Sequence, residues 1–527
     1  MINWLNTVLR RVQKDPAYIS LVAVGISLVA VGVAIACGIL SGVSGQEQPP
    51  ATIIRNAVIL DGSGAAARRA DVRIVSDRIA EVGELTPASS DRVVDAHGLT
   101  LAPGFIDTHS HASRGLFEYR DALADVSQGI TTVVVGQDGG STLPLSEYFA
   151  RLGSEPPAVN VASYAGHGTI RHQVMGDDFK RTATADEVRR MEELLRTEMA
   201  AGALGLSTGL EYDPGIYSAP SEVVALAKVA AASSGRYISH IRSEDRTEWQ
   251  AIDEIIAIGR EARLPVQISH MKLAMRGWWG QADKLIQVLD RARAQNVQIT
   301  ADIYPYTYWQ STITVLFPKR DFANRTEAEL VLKEVVAPED LLITRFEAEP
   351  AYAGKTLAQI AGLRNTPPAV ALMDVIKLGE DRGSSAGVIA TSMDERDVAR
   401  LLQWQFANVC TDGELMGAHP RGFGSFPRVL GRYVREQRVL TLADAIRKMT
   451  SLAAANVGLA NRGVIAPGKY ADLVLFDPAS VTDRATTAEP HATSVGIDTV
   501  WVNGEVVFRE GNSSGARPGR VLRRGDK

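Results

Sequence analysis

Pro103-Gly104-Phe105-Ile106-Asp107-Thr108-His109-Ser110-His111 is a short apolar run ending in two histidines one residue apart. If the run is a strand, alternate side chains point the same way and His109 and His111 converge on one ion. The same figure recurs downstream. Tyr237-Ile238-Ser239 leads into His240, and Val266-Gln267-Ile268-Ser269 leads into His270. Carboxylates take the equivalent place after two further apolar runs: Asp138 beyond residues 131–135 and Asp412 beyond residues 406–410.

Eight such runs fall at residues 104–106, 131–135, 158–162, 203–207, 237–239, 266–269, 297–301 and 406–410. Between most of them lie segments of helical periodicity, such as 187–201, 221–233, 249–262 and 283–295. A repeat of about 30 residues is that of a strand-plus-helix unit. The predicted fold class is therefore α/β, a TIM-like (β/α)8 barrel whose strand C-terminal ends form one rim. That rim gathers His109, His111, Asp138, His240, His270 and Asp412.

Working outward, the interval from residue 306 to 405 is too long for a simple connection and predicts an inserted subdomain at about residues 310–400. Alternating strands flank the barrel on both sides, at 52–60, 71–75 and 78–82, then at 472–476 and 499–508 with an Asn503-Gly504 hairpin signal. They predict a small β-sandwich domain built from residues 51–101 and 463–511 around a barrel of 102–462, with 512–527 as a loose tail.

Residues 17–43 are uncharged and apolar, longer than the roughly 20 residues that cross a bilayer as a helix. Arg10, Arg11 and Lys14 precede them. The expectation is a single-pass transmembrane signal anchor, with residues 1–16 cytoplasmic, 44–50 a linker and the catalytic part on the periplasmic or extracellular side. A cleaved signal peptide, with its apolar core of about 7–15 residues, and a lipoprotein site at Cys37 are the weaker readings.

With 45% hydrophobic residues among 527, the chain has ample material for a core, which excludes wholesale disorder. A net charge of −5 gives no basic field for nucleic acid. Cys37 and Cys410 are the two cysteines, so no disulfide framework exists and a zinc site must draw on histidine and carboxylate. Such a rim suits Zn2+, as one or two ions, which activate water and polarise a carbonyl. Asp412 is then placed to take the water's proton and return it to a departing nitrogen, a transfer that amide hydrolysis requires.

The opening stretch resembles the first-strand motif of the amidohydrolase superfamily, and Ala466-Pro467-Gly468-Lys469-Tyr470-Ala471-Asp472-Leu473-Val474 is similar to its C-terminal signature. More narrowly, the chain resembles the N-acyl-D-amino-acid deacylase (D-aminoacylase) branch. The stretches that carry this are Gly129-Ile130-Thr131-Thr132-Val133-Val134-Val135-Gly136, Ser207-Thr208-Gly209-Leu210-Glu211-Tyr212, Ser239-His240-Ile241-Arg242, Ile268-Ser269-His270-Met271-Lys272, Asp302-Ile303-Tyr304-Pro305-Tyr306 and Phe426-Pro427-Arg428-Val429-Leu430-Gly431. The resemblance covers residues from about 52 to 520. It implies a tightly held zinc on Asp138, His240 and His270, a second position at His109 and His111, and Asp412 as the catalytic acid/base. It also places Lys272, Tyr304 and Arg421 on the substrate's α-carboxylate. D-Selectivity rests wholly on it.

Three departures stand out. The branch commonly has cysteine where this chain has Asp138, it often has a serine just beyond the Tyr304 motif where this chain runs Thr307-Tyr308-Trp309-Gln310-Ser311, and the loop from Asp412 to Arg421 is slightly shortened. No lysine lies in Gly205-Leu206-Ser207-Thr208-Gly209, against the branches that bridge their metals with a carboxylated lysine. His167 reads as a substrate contact, His172 as structural, and His419 either reaches the pocket or orders its loop. The implied activity is hydrolysis of N-acyl-D-amino acids. Its alternatives are a dipeptidase or lactone/ester hydrolase using the same metals, or an inactive membrane-tethered binding protein.

Overall fold

The eight apolar runs become parallel strands in the computed structural model, which describes residues 51–526. They are β1 (Phe105–Asp107), β2 (Ile130–Val135), β3 (Asn160–Ser163, continued by Ala165–Gly166), β4 (Gly205–Gly209), β5 (Arg236–His240), β6 (Val266–Ile268), β7 (Ile299–Ile303) and β8 (Ala407–Val409). Each pairs in parallel with the next. Just beyond the last strand the circle closes: the Asp412 N–H donates to the His109 carbonyl at 2.8 Å and the His111 N–H to that of Gly413 at 2.8 Å. Closure is what sets Asp412 beside the two histidines.

Every residue of β2 and β4 is buried, because the barrel core covers one face and helices the other. Those helices are built conventionally. Ala185–Ala201 starts at a reciprocal cap between Thr184 and Glu187, buries Met191, Leu195 and Met199, and stops at Gly202 with φ 110°. Past β2 the chain must turn sharply at Gly136, where φ is 76° and a Cβ would lie 2.3 Å from the Tyr164 carbonyl oxygen. That turn delivers Asp138 to the rim.

Strands from both termini form one continuous nine-stranded sheet. The reason is Thr100–Pro103, which pairs with Thr52–Ile59 on one side and with Leu473–Phe476 on the other. Alternation assigns its faces. Leu101, Leu473 and Leu475 join a core with Ile54, Val72 and Trp501, whereas Ala102, Val474 and Phe476 pack on the barrel core with Phe105.

Between β7 and β8 lies a unit with its own core, including Ile313, Val331, Ile343, Leu372 and Val388. Its antiparallel sheet holds Tyr308–Thr312, Leu341–Arg345 and Gly387–Thr391. Trp309 packs against both this core and the barrel's.

Two expectations are corrected. The C-terminal segment is not a loose tail: Val161 donates to the Arg520 carbonyl at 2.9 Å, Leu522 donates to that of Val161 at 2.8 Å, and Arg520 reaches Asp77 at 2.5 Å. Val521 and Leu522 supply apolar contact that its Gly- and Arg-rich composition masks. The second concerns the transmembrane helix, and with it the membrane localisation. Residues 17–43 lie outside the described residues, and among the described residues no helix is long and apolar enough to cross a membrane.

Candidate metal centre and carboxylate clamp

Five strand ends bring the site together. His109 Nε2 lies 3.4 Å from Asp138 Oδ1 and 3.5 Å from Asp412 Oδ1, and His111 Nε2 lies 3.4 Å from Asp138 Oδ2 and 3.1 Å from Asp412 Oδ1. Across the mouth, His270 Nε2 is 3.5 Å from Asp138 Oδ1 and 3.0 Å from His240 Nδ1. Donors bound tetrahedrally at about 2.1 Å stand about 3.4 Å from one another, so these separations are those of ligands sharing an ion. Three donor groups result: His109–His111–Asp138–Asp412 and Asp138–His240–His270, which share Asp138, and Glu211–His240–Glu244 behind them.

Buried polar atoms test the fit. Both ring nitrogens of His109 and Oδ1 of Asp138 have no hydrogen-bond partner among the described residues. Buried groups of this kind are normally satisfied, and a cation among them would satisfy these. Asp138, His270 and Asp412 also hold left-handed backbone, at φ 53°, 35° and 50°. Each such non-glycine residue costs about 1–3 kcal/mol, and strain of this kind collects at functional sites. Barrel contacts hold it in place: the His270 N–H, for instance, donates to Asp302 Oδ1 at 2.6 Å.

The local charge is strongly coupled. Burial opposes protonation of His111 and His270, yet both imidazoles are pushed up, to about 9 by hydrogen bonds that His111 donates to Asp138 and Asp412 and to about 10 for His270 by the charges of Glu244, Asp412 and Asp138. Burial likewise opposes ionisation of Asp412, but the Arg421 guanidinium, then His270 and His109, hold it well below the usual carboxylate range. Carboxylates that hold protons on imidazoles so firmly also form a field for a metal cation.

Three carboxylates with no role read from the sequence stand behind this rim. Glu211 Oε2 is 2.9 Å from His240 Nε2. Glu244 Oε1 is 2.9 Å from His270 Nδ1 and 2.6 Å from Lys272 Nζ. Asp302 lies under the cluster, 3.6 Å from His109 Nδ1, and accepts from Gln267 Nε2 at 2.5 Å. Glu211 and Asp302 fall inside stretches quoted above, and Glu244 sits four residues after His240, but only the fold aims them at the histidines.

Lys272, Tyr304 and Arg421 are brought together beside the metal-type donors. The Tyr304 hydroxyl is buried without a hydrogen-bond partner among the described residues, and the ring centre lies 5.6 Å from Lys272 Nζ and 4.8 Å from Arg421 Cζ. Arg421 Nη1 is 2.6 Å from Asp412 Oδ2. His419 orders the loop, with Nε2 2.9 Å from the Tyr308 carbonyl and Nδ1 accepting from the Arg421 N–H at 3.0 Å. His167 is not brought to the site. It starts the helix His167–Met175 and is buried against Glu222 at 2.8 Å, which Arg171 also grips at 2.5 Å. Gly168, Thr169 and His172 line the cleft instead.

The model of the amidohydrolase family (Amidohydro_3) matches residues 92–407 and 408–508. The chain is 39% identical over 496 residues to an N-acyl-D-glutamate deacylase of Alcaligenes xylosoxydans xylosoxydans, covering 90% of this chain and 96% of the relative. It is 35% identical to a D-aminoacylase of the same organism, with 90% and 98% covered. Among solved structures, N-acyl-D-glutamate deacylase from Bordetella bronchiseptica, complexed with zinc and a phosphonate mimic of the tetrahedral intermediate, superposes with a TM-score of 0.81 at 38% identity, covering 90% of this chain and all of that one (100%). With this donor set on the rim of a parallel barrel, and family matches running through it, the chain belongs to the amidohydrolase family.

Proposed function

We propose that this protein is a zinc-dependent deacylase that hydrolyses N-acyl-D-amino acids to a free D-amino acid and a carboxylic acid. One observation carries the reading: Asp412 stands between a metal-type donor set, 3.1 Å from His111, and a carboxylate-binding trio, 2.6 Å from Arg421. A proton-transfer group so placed is in reach of both a hydrolytic water and the nitrogen that must leave. The named activities of the relatives support the same chemistry.

Asp138, His240 and His270 would hold one zinc, and His109 and His111, with Asp138 and Asp412, a second. Bound there, zinc supplies Lewis acidity and lowers the pKa of water toward about 7. Asp412 takes the proton from the attacking water and hands it to the amine nitrogen, without which the amine cannot depart. Glu211 and Glu244 accept from the outer nitrogens of His240 and His270 and so fix their tautomers. Lys272, Tyr304 and Arg421 receive the α-carboxylate: Arg421 by paired N–H donors, Lys272 by charge, Tyr304 through its free hydroxyl. On binding, the two cations exchange a protein carboxylate for the substrate's.

Release of free amino acid from matched N-acyl-D and N-acyl-L substrates tests the reading. Zinc-dependent release from the D-series alone, lost on chelation and restored by zinc, is the expected result. Zinc-loaded protein inactive on both series overturns it.

A further inference from the structure

We infer that the side chain of the amino acid accepted here is apolar and uncharged; this rests on the deacylase reading and specifies its substrate class. An acidic side chain would bring a second carboxylate into a buried site, where it is disfavoured unless a cation meets it. The lysine and arginine lining the inner pocket are Lys272 and Arg421. Each already faces a protein carboxylate at 2.6 Å, and both are assigned to the α-carboxylate.

Further out, the nearby guanidiniums are committed elsewhere. Arg320 pairs with Asp213 at 3.0 Å and donates to the carbonyls of Glu211 at 2.9 Å and Phe317 at 3.0 Å, tying the inserted unit to the rim. Arg246 is held by Asp245 at 2.5 Å and Glu327 at 2.7 Å. Lys180 and Arg345 line the outer cleft and not the inner pocket.

What the inner pocket offers instead is apolar wall: Ala274, Trp309, Val315, Leu316 and Val335. All but Ala274 come from the unit between β7 and β8, so this insertion supplies the selectivity while the barrel supplies the chemistry. Gln310 and Ser311 are uncharged polar groups beside it, and Glu211, Glu244 and Asp245 line the same pocket as carboxylates. Such a wall favours side chains like those of leucine, methionine and phenylalanine by desolvation and gives a carboxylate nothing to pair with.

The test is kcat/KM of the zinc-loaded full-length chain on N-acetyl-D-leucine, -methionine, -phenylalanine, -glutamate and -aspartate. At least one apolar substrate should exceed the acidic pair by about tenfold or more. Preference for D-glutamate or D-aspartate over every apolar member overturns this inference and leaves the deacylase reading standing. Turnover of none removes both. Val315→Arg, which adds a cation to the wall, should move the glutamate-to-leucine ratio about tenfold toward glutamate. A folded variant with an unchanged ratio would overturn the placement of the side chain here.

Discussion

The two ends of the barrel treat buried charge in opposite ways. At the end where the strands begin, Lys448 Nζ donates to the carbonyls of Trp404 at 2.6 Å and Ala407 at 3.1 Å, and Arg293 donates to that of Ile299 at 2.5 Å. These cations are satisfied by backbone, which cannot be exchanged for a ligand. At the other end the charges satisfy one another in pairs, Arg421 with Asp412 and Lys272 with Glu244, and leave the His109 ring nitrogens, Asp138 Oδ1 and the Tyr304 hydroxyl without hydrogen-bond partners among the described residues. One end is closed chemically and serves stability. The other keeps its binding capacity open, the division expected of a barrel enzyme.

Disarming each end in turn should give opposite results. Asp412→Asn should lower kcat about 10³-fold while the circular dichroism spectrum stays that of the folded protein. Lys448→Met should leave kcat of the folded fraction unchanged and alter unfolding alone. If Lys448→Met abolishes turnover in folded protein, the division of labour fails.

A smaller effect separates ligands from the carboxylates behind them. Glu244→Gln should weaken zinc retention by about 10–100-fold, read by chelator competition, because His270 loses the carboxylate 2.9 Å from its outer nitrogen. Unchanged zinc affinity would show that Glu244 serves the clamp only.

The smallest effect is one of pH on stability. Burial lowers the Lys448 ammonium to about 8, below its ordinary value near 10.4. Between those values the unfolded chain binds more protons than the folded one, so this group makes the folded state gain stability as pH rises. Across that window wild type should gain up to about 1 kcal/mol per pH unit relative to Lys448→Met in denaturant unfolding. A difference that is flat or falls with pH contradicts the buried environment assigned to this lysine.

Much of the rim was legible because strand ends have a simple grammar. His109 and His111 alternate out of β1, and His240, His270, Asp138 and Asp412 each follow an apolar run. Less was legible where contacts join distant segments. Nothing local marks His167 as a partner of Glu222, fifty-five residues away, or distinguishes it from His172, which lines the cleft. The C-terminal segment misled for a related reason: its glycines and arginines read as loose chain, but backbone pairing with Val161 needs no particular side chains.

The barrel, its strand order and the residue types on its rim follow from the order of residues along the chain, since periodicity and strand-end chemistry are properties of short segments. Tertiary structure alone decided which atoms face one another. Closure of β8 onto β1 brings Asp412 to His109 and His111, and packing of the inserted unit on the rim decides which side chains wall the inner pocket. Those juxtapositions depend on backbone turns and long-range packing that no single segment encodes.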